Sequence, residues 1–113
     1  MAAVKNIAPR RVDRETIIAR LQAHRAELES LGVVSASLFG STARGDNTPS
    51  SDVDIAVKLD PARTPQGFRY AGYLTDLEER LKVFLEKEVD VVPEPARKLG
   101  VQQRIDRDRV VAF

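Results

Sequence analysis

Two short apolar segments with a polar connection between them constrain the fold of this chain more than any other feature. Residues 33–39 read Val-Val-Ser-Ala-Ser-Leu-Phe, and residues 53–59 alternate Val, Ile, Val and Leu with Asp, Ala and Lys. Both patterns predict strands. The intervening residues 45–51 are Gly, Asp, Asn, Thr, Pro and Ser, which is the chemistry of a loop. Because no long helix connects the two strands, we expect them to pair antiparallel.

Helices are predicted on either side of this strand pair. An apolar period of three to four residues begins at Asp13, a candidate N-cap, and stops at Gly32, a candidate helix end. His24 lies on the apolar stripe, where a lone histidine is typical of packing at a helix edge. The other predicted elements are a helix over 67–87, a third strand over 88–92, a short helix over 96–107 and a final strand or tail over 110–113. This order predicts an α+β fold in which a small mixed sheet is flanked by helices.

Composition excludes several classes of function. The chain has 113 residues and no cysteine, which excludes disulfides, zinc thiolate sites and cysteine nucleophiles. Its formal net charge of +1 gives no bulk electrostatic reason to bind nucleic acid or a membrane. No segment resembles a signal peptide or a membrane span, so a cytoplasmic location is expected. Residues 1–12 lack a clear period and are predicted to be a flexible tail, with one domain over 13–113.

Three acidic residues form a candidate metal site. Asp52 and Asp54 lie one residue apart at the start of a predicted strand, so they project from the same face about 6–7 Å apart. Two carboxylates this close repel each other unless a cation neutralises them, and oxygen ligands suit Mg²⁺. Asp90 adds a third carboxylate if the predicted third strand lies beside the second. It can bind the same metal or accept the proton of an attacking hydroxyl.

A candidate phosphate-binding turn precedes these carboxylates. Gly40 allows close approach of the backbone to a phosphate, and the helix start that follows it presents free N–H groups. The Ser41 hydroxyl can donate a further hydrogen bond, and Arg44 can neutralise phosphate charge. Each feature taken alone has a simpler interpretation: an ordinary turn, solvated aspartates, or an Arg44 side chain paired with Asp46.

The segment Phe-Gly-Ser-Thr-Ala-Arg-Gly-Asp over 39–46, followed by Ser-Asp-Val-Asp-Ile over 51–55, resembles the minimal nucleotidyltransferases of the DNA polymerase β-like superfamily. Their signature is Gly-Ser, ten residues, then Asp-x-Asp, and their third carboxylate falls on Asp90. The resemblance covers residues 13–113 and implies a polymerase β-like nucleotidyltransferase fold. It implies catalytic and metal-binding roles for Asp52, Asp54 and Asp90, and nucleotide binding by Gly40, Ser41 and Arg44.

The same resemblance implies an activity and a partner. Members of the family bind a nucleoside triphosphate, commonly ATP, with two Mg²⁺ ions, and release pyrophosphate as they transfer the nucleotidyl group. Short stand-alone members often act as antitoxins that adenylylate a tyrosine of a HEPN-domain ribonuclease toxin, with which they form a complex. The length of this chain fits that subgroup.

Two other functions remain open at this point. One is nucleotidyl transfer to a small molecule such as an aminoglycoside. Enzymes of that kind usually carry a further domain that shapes the acceptor site, for which a homodimer could compensate in a chain this short. The other is a non-catalytic antitoxin that acts by binding alone. Nucleic-acid binding is not predicted, because acidic residues interrupt the basic cluster near the C-terminus. We interpret that cluster as a solvated helix face or a partner contact; it consists of Arg97, Lys98, Arg104, Arg107 and Arg109.

Overall fold

A four-stranded mixed sheet forms the centre of the computed structural model, which describes residues 11–113. The strands are β1 (Val33–Phe39), β2 (Val53–Leu59), β3 (Val89–Pro93) and β4 (Val110–Val111), in the spatial order β3-β2-β1-β4. β1 is antiparallel to both β2 and β4, whereas β3 is parallel to β2. The predicted antiparallel pair and the α+β class are therefore confirmed, and β3 lies beside β2, which is the condition that the sequence set for Asp90 to join the site.

Five helices accompany this sheet within residues 11–113. They are α1 (Arg14–Ala23), α2 (Arg25–Ser30), α3 (Gly40–Arg44), α4 (Arg69–Leu85) and α5 (Leu99–Asp108). Asp13 caps α1 as predicted, because its carboxylate accepts a hydrogen bond from the amide of Thr16 at 2.9 Å. Gly32 follows α2 with φ +102°, a conformation that suits the predicted helix stop.

The prediction of one continuous helix from Asp13 to Gly32 is wrong, because the helix breaks at His24. The backbone of His24 has φ −104° and ψ 13°, outside the helical region, and separates α1 from α2. Its ring stacks on Phe84 of α4 with the centroids 3.8 Å apart, so the predicted packing role of this histidine is confirmed. The apolar stripe continues across the break, since Leu21 and Leu28 are both buried.

The two faces of the sheet carry different hydrophobic clusters. The larger cluster includes Val53, Ile55 and Val57 of β2 and side chains from α1, α2 and α4. A smaller cluster on the opposite face joins Ala56 to Phe39 and to Ile105 of α5. Because alternate residues of a strand point to opposite faces, Asp54 shares the α5 face with Ala56. The candidate site therefore lies on the more thinly covered side of the sheet.

The boundaries of α4, α5 and β3 differ from prediction. α4 is shorter at both ends than 67–87, and α5 begins at Leu99 rather than residue 96, because residues 94–98 form a loop in which the Ala96 amide donates to Gln102. β3 extends through Pro93, which an edge strand tolerates because its outer side needs no N–H donor.

The predicted flexible tail over 1–12 lies mostly outside the described residues. Its last two residues contact the loop after α3. The Arg11 guanidinium donates to the carbonyls of Gly45 and Asn47, and the Val12 carbonyl accepts from the Asn47 side chain. In the described part of the chain, no helix is both long enough and apolar enough to cross a bilayer.

Candidate active site

The register of the sheet places the predicted site residues in one row. Asp54 of β2 lies opposite Phe39 of β1 on one side and opposite Asp90 of β3 on the other. Neighbouring strands lie about 4.8 Å apart, so the turn that begins at Gly40 and two of the three carboxylates share one end of the sheet. Asp52 directly precedes β2 at the same end, and both Asp52 and Asp90 are exposed to solvent.

Gly40 and Asp54 approach each other so closely that only glycine fits at this position. Gly40 has φ +74°, in the left-handed region that side chains disfavour. A Cβ atom added to Gly40 would lie 2.3 Å from Oδ2 of Asp54, well inside van der Waals contact. The turn backbone and the carboxylate thus form two walls of one small site, as the spacing between Gly-Ser and Asp-x-Asp predicts.

The electrostatics of this row centre on Asp54. The pKa of this carboxyl is raised to about 6, mainly by partial burial and further by the negative charges of Asp90 and Asp52. The positive charges of Arg104 and Arg44 lower this pKa in part. The carboxylates of Asp52, Asp54 and Asp90 accept no hydrogen bond and form no ion pair with any residue in 11–113. The site therefore concentrates negative charge that no direct ion pair within residues 11–113 neutralises.

The donor chemistry of the row suits a hard cation that brings some of its own ligands. Among residues 11–113, no three acidic or histidine side chains form a group that could hold a metal ion unaided. Mg²⁺ seldom needs such a cage, because it usually binds one or two carboxylates and completes its shell with water and substrate phosphates. The residues present therefore fit Mg²⁺ that is bound together with a nucleotide.

Two arginines near the start of the chain donate hydrogen bonds to the turn after β1. α3 begins directly at Gly40, and the Arg14 guanidinium donates to the Ala43 carbonyl near the end of this helix. Arg11 donates to the carbonyl of Gly45, the residue after it. Cations at a helix C-terminus satisfy free carbonyls and oppose their partial negative charge. The sequence assigned no role to either arginine, since nothing in its local pattern connects them to a turn some thirty residues away.

Arg44 forms the ion pair with Asp46 that its simpler interpretation described, and it forms a second ion pair with Asp108. Its guanidinium lies 3.1 Å from Asp46 and 2.8 Å from Asp108 at the end of α5. Hydrogen bonds from Arg107 and Arg44 lower the pKa of Asp108 to about 2. Arg44 therefore links α3 to α5, and its binding of a nucleotide stays a prediction.

Arg104 is a site residue that sequence reasoning missed. It precedes Ile105, which is fully buried against Phe39 and Ala56, so α5 places it over the face that carries Asp54. Its positive charge is near enough to lower the pKa of Asp54. Arg104 makes no hydrogen bond or ion pair with another residue in 11–113. The sequence analysis grouped it with a basic cluster interpreted as a solvated helix face or a partner contact, and its position directly before the apolar Ile105 is the signal that could have distinguished it.

A family model, a sequence relative and a solved structure that resemble this chain are all described as nucleotidyltransferases or adenylyltransferases. The family model described as a nucleotidyltransferase domain matches residues 21–112. The protein adenylyltransferase MntA of Thermococcus cleftensis is 35% identical over 97 residues, which cover 85% of this chain and 92% of the relative. A solved structure assigned as a minimal nucleotidyltransferase is 28% identical with a TM-score of 0.69, covering 88% of this chain and 95% of its own.

A third match is similar in fold alone. It is a complex of a tri-AMPylated HEPN toxin of Shewanella oneidensis with an MNT antitoxin, at 19% identity and a TM-score of 0.54. The match covers 83% of this chain and 71% of the other. All three likenesses extend over most of the chain, including the turn after β1 and the acidic row.

Proposed function

We propose that this chain, which belongs to the nucleotidyltransferase domain family and is a nucleotidyltransferase, is a Mg²⁺-dependent protein adenylyltransferase. In this proposal the protein acts as an antitoxin. The proposed reaction transfers AMP from ATP to a tyrosine of a HEPN-domain ribonuclease toxin with which the protein forms a complex. The name of the Thermococcus relative and the AMPylated toxin in the Shewanella complex support this assignment. The proposal places the protein in the cytoplasm, where ATP is supplied.

The observation that carries this proposal is the row formed by Gly40, Asp54 and Asp90 across three strands. We assign phosphate binding to the turn amides and to the Ser41 hydroxyl, and metal binding to Asp52 and Asp54. Bound Mg²⁺ would neutralise the triphosphate and polarise the α-phosphate. The unpaired carboxylates of the row are arranged to bind such a cation.

The bonds exchanged in this reaction are those of an in-line displacement. The tyrosine oxygen forms a bond to the α-phosphorus while the bond from that phosphorus to the bridging oxygen breaks, and pyrophosphate leaves. We assign Asp90 to accept the tyrosine proton, because it is the exposed carboxylate of the row farthest from the Gly40 turn. The other carboxylates stay ionised and hold the metal.

The openness of the site favours a protein acceptor. Asp52 and Asp90 are both exposed, and the row lies at one end of the sheet. A small molecule needs an enclosing pocket for orientation, whereas a protein partner can present its own hydroxyl from a folded surface. This geometry is the reason for preferring a toxin over an aminoglycoside as acceptor.

Incubation with labelled ATP, Mg²⁺ and the HEPN protein encoded by the neighbouring gene tests the proposal. We expect label on the toxin, removal of labelling by EDTA, and a loss of about 10²–10³-fold in rate for Asp52→Asn, as for removal of other electrostatic stabilisers. Asp76→Asn is the control, since Asp76 is an exposed residue of α4 with no hydrogen bond or ion pair in the described chain. Neutralisation of the toxin by Asp52→Asn without any label would show that contact alone is the function.

Arg104 gives a second test of the site assignment. Because its charge faces the acidic row and has no partner in the described chain, we expect it to pair with the triphosphate. Arg104→Gln should raise the KM for ATP about tenfold, the usual loss for a charged hydrogen bond of about 1.5 kcal/mol. Arg104→Lys should recover part of the affinity. Arg63→Gln, an exposed change in the loop after β2, should leave this KM unchanged. An unaltered KM in Arg104→Gln would remove this residue from the nucleotide site.

A further inference from the structure

A groove with a volume of about 660 Å³ opens beside the free edge of β3. Its walls are largely apolar and come from α4, β3 and the segment before α5. They include Tyr70, Leu74, Val91, Val92, Ala96 and Val101. The charged residues of the lining, Arg97 and Lys98, are both cations. A volume of this size accommodates a large side chain with part of its backbone.

The groove lies close to the Asp90 side of the acidic row. Val92 lies on the same face of β3 as Asp90, two residues and about 7 Å along the strand. The sheet order places the Gly40 turn after β1, Asp54 on β2 and Asp90 on β3, so the phosphate turn and the groove lie on opposite sides of the row. An acceptor that approaches Asp90 away from the triphosphate therefore passes over this groove.

The edge of β3 is blocked against the addition of another strand. The outward-facing amide of Val91 already donates to the Glu78 carboxylate at 3.1 Å. Pro93, the next outward-facing residue, has no N–H group. Both features prevent strand pairing along an exposed edge. The occupant of the groove must therefore enter with side chains, from a helix or a loop, and not with a β-strand.

The apolar face of α4 continues beyond the core into this groove. Leu77, Leu81 and Leu85 of this helix are buried, whereas Tyr70 and Leu74 extend the same stripe and line the groove. Both side chains are half-buried, so part of this stripe stays accessible in the groove. Large apolar side chains flank the groove in sequence: Phe68 is 94% exposed and Leu99 is 73% exposed. Clustered exposed apolar residues of this kind are typical of protein interfaces.

We propose that the groove beside β3 docks the acceptor protein, by binding an apolar anchor side chain with acidic residues next to it. The anchor fills the space between Leu74, Val92 and Val101, and the acidic residues pair with Arg97 and Lys98. This inference rests on the proposed function, since it assigns the groove to the same acceptor that receives the adenylyl group. Docking here holds the acceptor hydroxyl beside Asp90.

Two substitutions test the docking site without changing the catalytic row. Ala71 is an exposed residue of the groove wall, so Ala71→Trp fills the groove without entering the core. Arg97→Glu reverses one of the two charges. We expect each variant to raise the KM for the toxin at least tenfold and to leave kcat and the KM for ATP unchanged. The matched controls are Ala26→Trp on α2 and Arg63→Glu in the loop after β2, both at exposed positions elsewhere, and both should behave as wild type.

The possible outcomes separate this inference from the proposed function. If wild-type protein labels the toxin and Ala71→Trp does so with an unchanged KM, the docking site is wrong and the function stands. If Ala71→Trp raises the KM for ATP, the groove binds the nucleobase and the inference is overturned. If wild type is a dimer that Ala71→Trp converts to a monomer, the groove binds a second copy of the chain and the inference is likewise overturned. If wild-type protein binds the toxin without labelling it, the proposed function is wrong. Calorimetric titration of Ala71→Trp with the toxin then tests the docking site alone. Weaker binding than wild type supports the docking site, and equal binding overturns it. Absence of any toxin binding by wild type overturns both.

Discussion

Asp54→Asn should be more stable than the wild-type protein in Mg²⁺-free buffer at neutral pH, and it should have lost adenylyl transfer. Burial and the charges of Asp90 and Asp52 raise the pKa of Asp54 to about 6, so ionisation of this carboxyl opposes folding. A pKa shift of about two units corresponds to about 3 kcal/mol for a fully buried group. Because Asp54 is only half-buried and solvent screens its neighbours, we expect a gain of about 1–2 kcal/mol, or roughly 5–10 °C in Tm.

The pH dependence of this effect follows from the direction of the pKa shift. A carboxyl whose pKa is higher in the folded than in the unfolded protein favours folding below the unfolded value, near 4, and loses that contribution as the pH rises through about 6. Asp54→Asn and wild type should therefore have similar stability near pH 4. Their difference should grow between pH 4 and pH 6 and stay constant above pH 7.

Thermal unfolding monitored by circular dichroism from pH 4 to pH 8 measures this difference, with and without Mg²⁺. Added Mg²⁺ with a non-hydrolysable ATP analogue should raise the Tm of wild type and have little effect on Asp54→Asn, because ligand that binds only the folded state stabilises it. Asp76→Asn, an exposed change on α4, should match wild type at every pH. A variant of Asp54 that is less stable than wild type at pH 7 would contradict the assignment of an unneutralised acidic row.

The row of Gly40, Asp54 and Asp90 could be predicted in part from sequence because β1 and β2 neighbour each other in the chain. β1 and β2 are joined by a short polar connection, so their antiparallel pairing and the approach of Gly40 to Asp54 follow from local signals. Asp90 joins the row through the pairing of β3 with β2, which the sequence left as a condition and the structure shows. The family resemblance added the metal and nucleotide roles, which no alternation of residues can encode.

The features that sequence did not reveal depend on contacts between distant elements. Arg104 reaches the acidic row only because Ile105 packs α5 on the sheet, and Arg14 reaches the turn after β1 from the start of the chain. His24, where the first predicted helix breaks, also contacts a distant element, since its ring stacks on Phe84 of α4. Helical periodicity places Tyr70 and Leu74 on the apolar stripe of α4, but it cannot tell whether another element covers the whole of that stripe. Here the stripe extends beyond the core and forms a groove.

Gly40→Ala should lower both stability and transfer activity, because glycine at this position meets two separate requirements. The φ of +74° costs a residue with a side chain about 1–2 kcal/mol. The added Cβ would also lie 2.3 Å from Oδ2 of Asp54, so this carboxylate or the turn must move. A displacement of about 1 Å within a catalytic site can reduce the rate about 10²-fold. We therefore expect the free energy of unfolding to fall by about 2–3 kcal/mol, because the clash adds to the cost of the backbone conformation. The rate of adenylyl transfer in the labelling assay should fall at least 10²-fold.

Gly45→Ala separates these two effects because it changes the backbone requirement alone. Gly45 ends α3 with φ +86°, yet a Cβ added there has no atom within 4 Å. This variant should therefore lose about 1–2 kcal/mol of stability and keep most of its transfer activity and its KM for ATP. Urea unfolding together with the labelling assay compares the two variants. If Gly45→Ala loses as much activity as Gly40→Ala, backbone strain in the turn accounts for both losses. The contact between the turn and the Asp54 carboxylate is then not what sets the geometry of the site.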